Sequence, residues 1–170
     1  LSAVIPVAEM DVALSKFAEH YNQTYTARMI GKLGFENLPN LAAEELVMQT
    51  LKLLVETQVS YHGFFWEVTK QFDRNWRDDA TNILKADGFL NAPEATALLE
   101  DWRNLYLQTL LSFPDSDLDN IAARLRRHNP KTALVRPEIE AVWEKIDQED
   151  NWTPFYELIE QLRFHKNAIA

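Results

Sequence analysis

Apolar residues along this chain recur at helical rather than strand spacing. Leu118, Ile121, Ala122 and Leu125 stand at i, i+3, i+4 and i+7, and the interval returns in Ile139, Val142, Trp143 and Ile146 and in Phe155, Leu158, Ile159 and Leu162. A longer version runs through Ala95, Leu98, Leu99, Trp102, Leu105 and Tyr106. At 3.6 residues per turn each set falls on one stripe, which needs cover from another element. No alternation of apolar and polar residues is long enough to require a sheet. The pattern predicts an all-α fold, a single compact domain over residues 1–170. Its helices, about seven or eight, should cover roughly 8–30, 41–57, 60–75, 78–86, 93–112, 116–128, 137–148 and 154–164. Loops between them are short, so sequential helices are expected to pack antiparallel. The five tryptophans show no fixed spacing, which argues against a helical repeat array.

Helix boundaries carry chemical signals. Asn40 is placed to cap the second helix, Ser60 the third and Thr153 the last. Ser116 followed by Asp119 resembles a capping box with a shortened acid. Pro137 and Pro154 suit first-turn positions, where the missing N–H costs nothing. Tyr21, Tyr25 and Met29 fall at i, i+4 and i+8 on the first helix, a stripe expected to face the core. Phe64-Phe65-Trp66 puts large groups on more than one side of its helix, which is either deeply buried or partly presented to a partner.

Composition changes this picture mainly by exclusion. With no cysteine there are no disulfides, thiolate metal sites or cysteine nucleophiles. The balance of 17 basic against 26 acidic residues argues against broad nucleic-acid binding, which depends on many phosphate contacts. No apolar run reaches the roughly 20 residues that span a bilayer, so no membrane partner is expected. The chain begins with Leu1 rather than Met, as a processed or excised polypeptide would.

Candidate sites mostly dissolve on inspection. Asp115-Ser116-Asp117-Leu118-Asp119 opens like a calcium loop, but such a loop needs Gly sixth and Glu twelfth, where this chain has Asn120 and Arg126. Asp87-Gly88 is a turn pair. His20, His62, His128 and His165 lack ligand spacing, so no metal site is expected. What remains is the segment from Arg124 to Pro137, the densest positive charge of a chain with net charge −9. One reading is a charge-capped helix end joined to an amphipathic hairpin. The other is an interdomain or anion-facing strap made by Arg124, Arg127, Asn129, Lys131 and Arg136.

Asn129-Pro130-Lys131, a few residues, then leucine, arginine and a Glu-rich helix resembles the C-terminal end of the selenoprotein O (YdiU) family. Met29…Lys32-Leu33-Gly34-Phe35 is similar to that family's Met-x-x-Lys-Leu-Gly segment, and Ser60-Tyr61-His62-Gly63-Phe64-Phe65-Trp66 to its Asp-Tyr-Thr-x-Phe-Phe-Arg segment. Ser60, His62 and Trp66 stand where the family pattern has Asp, Thr and Arg, and Val135 separates the leucine from its arginine. Trp102, Tyr106 and Arg124 keep the family's order, so the resemblance runs from about Tyr21 to Leu162.

The resemblance implies a kinase-like parent protein that moves AMP from ATP onto Ser, Thr or Tyr hydroxyls with Mg2+. It implies a cytoplasmic setting and, as partners, an N-terminal kinase-like domain of the same protein and the protein substrates. The family's nucleotide and metal residues lie upstream of the matched segments, so no catalytic, cofactor-binding or metal residue is carried over, and none of those ligands is expected in this chain. A supporting, C-terminal helical portion is the reading this favours. The alternative is a stand-alone all-helical interaction module.

Overall fold

The computed structural model describes residues 6–85, 94–132 and 134–167. Among these residues it is all-α, with seven helices and no strand: α1 (Val7–Lys32), α2 (Asn40–Thr57), α3 (Tyr61–Gln71), α4 (Glu94–Leu111), α5 (Leu118–His128), α6 (Arg136–Glu149) and α7 (Thr153–Asn167). The predicted turn at Asp87-Gly88 lies outside the described residues, as do the start of the fourth-helix stripe at Ala95, with respect to its side chain, and Ala133 of the connector.

One expected helix does not form over its described part, 78–85: the chain makes a 3-10 turn at Ala80–Asn82, preceded by another at Arg74–Arg77. Asp73 and Asp79 are extended and cap the starts of these turns, their carboxylates accepting from the backbone N–H groups of Asn75 and Thr81 at 2.9 and 2.7 Å, so the helical run is interrupted at each. Ile83 and Leu84 then plug into the core. Arg103 on α4 holds them there, donating to the Ile83 and Leu84 carbonyls at 2.6 and 2.7 Å.

The core sits between α2 and α4, the most extensive helix pair, with the C-terminal part of α1, α3 and α5 around them. α2 supplies Ala43, Leu46, Val47, Thr50, Leu53 and Leu54, a stripe of helical period. α4 answers with Leu99, Trp102, Tyr106 and Leu110. Tyr106 centres an aromatic cluster: Phe35, Trp102 and Trp76 lie 5.0, 5.0 and 5.6 Å from its ring. The buried polar groups between α2 and α4 are matched: Trp102 Nε1 donates to Thr50 Oγ1 at 2.9 Å, and Thr50 donates to the Leu46 carbonyl. α1 pairs with α2 as neighbours in sequence should, but α1 also packs on α5 and α3 on α5, contacts that loop length did not indicate.

Capping was legible in part. Ser60 Oγ accepts from Gly63 N, and Pro137 occupies the first turn of α6, both as expected. The Ser116–Asp119 box does not form: Asp115–Asp117 is a 3-10 turn and α5 starts at Leu118 without a side-chain cap. Asn40 is already helical, behind Pro39. The last helix takes its cap from Asn151, whose Oδ1 accepts from Thr153 N at 3.1 Å.

Two regions stay outside the core. Asp11 to Thr24 of α1 are all exposed, so the expected core stripe is graded: Tyr21 is exposed, Tyr25 half-buried and Met29 buried. Phe17, Tyr21 and Tyr25 stack in sequence along it, at 6.2 and 6.1 Å between rings. The hairpin of α6 and α7 supplies no residue to the buried core. Val142, Ile146, Leu158, Ile159 and Leu162 are half-covered, whereas Ile139 and Trp143 face solvent. Phe64 and Phe65, by contrast, are fully buried and Trp66 is partly so.

Candidate functional site

Three separated segments meet where α1 ends. α1 closes at Leu33 because Gly34 turns the chain with φ +89°, a conformation that suits glycine. A Cβ there would lie 2.8 Å from Ile121 Cγ2 and 2.9 Å from Leu125 Cγ, so glycine also lets α5 approach. Leu33 and Phe35 flank it, both buried, and Tyr106 Oη donates to the Leu33 carbonyl at 3.0 Å.

Lys32 is at the centre of this junction. Its Nζ donates to the His128 carbonyl at 3.2 Å and to Asn129 Oδ1 at 3.3 Å. It also lies over the rings of Phe65 and Tyr61, 5.0 and 5.5 Å from their centroids. The carbonyl end of α5 and two π faces thus share the ammonium. Partial burial lowers the Lys32 pKa from its ordinary value. Burial, and secondarily the nearby Tyr25, raises that of Tyr61, whose hydroxyl reaches Met29 Sδ at 3.3 Å.

Asn129 completes the clasp. It is buried at the C-terminal end of α5. Its Nδ2 donates to the Lys32 carbonyl at 2.7 Å and to Thr69 Oγ1 at 3.0 Å, so one amide ties α1, α3 and α5 together. His128 rests against Gly31, where a Cβ would come within 3.1 Å of its ring. Burial, then the neighbouring Arg127 and Lys32 charges, lowers the His128 pKa.

The candidate strap residues therefore divide. Asn129 is a buried tie. Arg124 is mostly covered and pairs with Glu36, its Nη1 buried without a partner among the described residues. Arg127 is exposed on the last turn of α5. The Lys131 carbonyl lies 3.1 Å from His62 Nε2, which selects the tautomer protonated there, and this contact moors the connector to α3. Arg136 begins α6, and its Nε donates to Glu140 Oε1 at 2.6 Å in solvent. Composition did flag the segment, but the central part of Lys32 was missed, because its partners come from about 30 and 97 residues away.

The aspartates of the rejected calcium loop are engaged by arginine: Arg77 with Asp115 at 3.0 Å and Arg74 with Asp119 at 2.8 Å. Among the described residues no three His, Asp or Glu side chains come together as a metal site. Beside the junction the Glu36 carboxylate is taken up by Arg124, so the residues described there do not fit Mg2+, and no reaction step is derived through it. No helix of the described residues is long and apolar enough to cross a membrane.

The residues at the junction are those on which the selenoprotein O resemblance rests, and a direct comparison agrees. The family model for protein adenylyltransferase SelO matches residues 1–163. The chain belongs to the SelO family. SelO relatives include the protein nucleotidyltransferase YdiU of Gloeobacter violaceus, 48% identical over 96% of this chain and 33% of that protein. Those of Trichormus variabilis and Trichodesmium erythraeum are 42% and 41% identical, over 96% and 95% of this chain and 34% and 33% of theirs. The chain thus spans about a third of the length of these SelO relatives. No solved structure gives a significant match.

Proposed function

We propose that this chain is the C-terminal helical part of a SelO-type protein AMP transferase, one that supports the catalytic part without touching the nucleotide. One observation carries this reading. The family's Met-Lys-Leu-Gly, Tyr-Phe-Phe and Asn-Pro-Lys segments converge on the Lys32 clasp, and their polar groups are occupied in joining α1, α3 and α5. Such a node fixes helix geometry; buried polar ties of this kind specify an arrangement more than they add stability. The complete protein would act in the cytoplasm, use ATP and Mg2+, and modify protein hydroxyls through residues outside this chain, as the family membership suggests.

Within this reading Arg127, Lys131 and Arg136, which lie on or beside the connector, are the contacts toward the rest of the protein, whereas Arg124 and Asn129 serve the helices themselves. The test is AMP transfer from labelled ATP by the full-length protein. Asn129→Ala and Lys32→Met should lower activity only in step with the folded fraction. A fall in kcat of about a hundredfold with the fold intact, the size expected of a group acting in the transition state, would refute the supporting role. Lys131→Ala or Arg136→Ala should alter transfer while leaving the melting of residues 1–170 nearly unchanged.

The alternative, a stand-alone helical interaction module, draws its support from the exposed aromatic residues of α6 and α7. The length of the native polypeptide separates the two.

A further inference from the structure

The outer face of α6 is a mismatch between sequence and surroundings. Ile139 and Trp143 stand one turn apart on one side of α6, Val135 precedes them at the same spacing as the helix's extended N-cap residue, and all three are exposed, Trp143 to 64%. α6 has no buried residue. A second aromatic group, Trp152, Phe155 and Tyr156, opens α7, with neighbouring rings 6.0 and 5.7 Å apart. Apolar faces of this kind on a helix pair are commonly covered by another protein surface.

Charge narrows what the cover is. From Arg136 to Asn167 the hairpin carries eight acidic residues and four basic ones, so it is net acidic like the chain as a whole. Arg136, Glu140 and Glu144 each follow a member of the stripe by one residue, and because Arg136 is paired with Glu140, the flank keeps one acid in excess. A second copy of this chain would bring the same acidic surface to an isologous contact and set like charges together. A basic-rimmed apolar surface would fit. The relatives are about three times as long as this chain, so such a surface has ample polypeptide to come from.

We propose that the Val135-Ile139-Trp143 face of α6 docks in cis on an apolar surface rimmed by Lys or Arg, contributed by the part of the same polypeptide outside residues 1–170. This rests on the reading that the chain is part of a longer SelO protein. The docked hairpin holds the rest of the protein against the Lys32 clasp through the short connector moored by His62.

The experiment uses the purified full-length protein with p-benzoylphenylalanine in place of Ile139, irradiated as a mixture of ordinary and heavy-nitrogen-labelled chains. Cross-links should form within one chain, to a segment outside residues 1–170 that adjoins Lys or Arg. Adding Trp143→Glu should lower their yield roughly tenfold, as expected when an aromatic anchor is lost. Cross-links joining the two isotopic forms, cross-links confined to residues 1–170, cross-links to an acid-rich segment, or none at all would each overturn the docking. AMP transfer by the parent protein is assayed separately. Transfer without the cross-link defeats the docking alone, and the cross-link without transfer defeats the proposed activity alone.

Discussion

Two tryptophans set the regions of this protein apart. Trp102 is fully buried, packs edge-on to Phe64 at 5.3 Å and donates its indole N–H to Thr50. Trp143 lies on a stripe of the same helical period, yet faces solvent. The block from the end of α1 through α5 thus builds a buried core from its own stripes, with Leu41, Met48 and Val55 left outside it, while the α6–α7 hairpin only half-covers the seam between its two helices. Periodicity records that a face needs cover; it does not record which molecule or segment provides it.

The comparison is broken most forcefully by exchanging one residue in each region. Trp102→Ala should cost about 3–5 kcal/mol in urea denaturation, through a large cavity and an orphaned Thr50 contact. Gly34→Ala should cost about 2–4 kcal/mol, because a Cβ meets Ile121 and Leu125 in a left-handed turn. Asn129→Ala should cost about 1–3 kcal/mol, leaving the Lys32 carbonyl and the Thr69 hydroxyl short of a donor. Trp143→Ala should change stability of residues 1–170 by less than about 0.5 kcal/mol. A cost equal to that of Trp102 would show that α6 belongs to the core after all.

The smallest effect concerns pH. His128 holds its proton less tightly in the fold than its ordinary value of 6.5 allows. Above that value both folded and unfolded forms are neutral and the residue contributes nothing. Below it the unfolded chain takes up the proton first, so stability should fall on acidification until the folded imidazole also titrates. Thermal melting across this range should show a decline that His128→Gln reduces.

Much of the core was legible because period and packing coincide there. The stripe of Leu118, Ile121 and Leu125 is buried as its spacing indicated, and Ser60 and Pro137 sit where their chemistry places them. Residues 78–85 misled because the extended Asp79 interrupts the helical run and a clamp on Ile83 and Leu84 comes from Arg103, about 20 residues downstream. The site was half visible. Charge density pointed to the stretch around Asn129, but only folding brings it to Lys32, since nothing in local sequence encodes a partner that distant. The same limit applies to Ile139 and Trp143: their pattern is that of a core helix, yet both are exposed among the described residues.

α1 joins these observations mechanically. It runs unbroken from Val7 to Lys32, so the ring ladder that starts at Phe17 stands about 22 Å from the ammonium at its far end on a single rod. The bare outer half therefore leaves the core on the same helix whose last residue is tied, through Asn129, to Thr69.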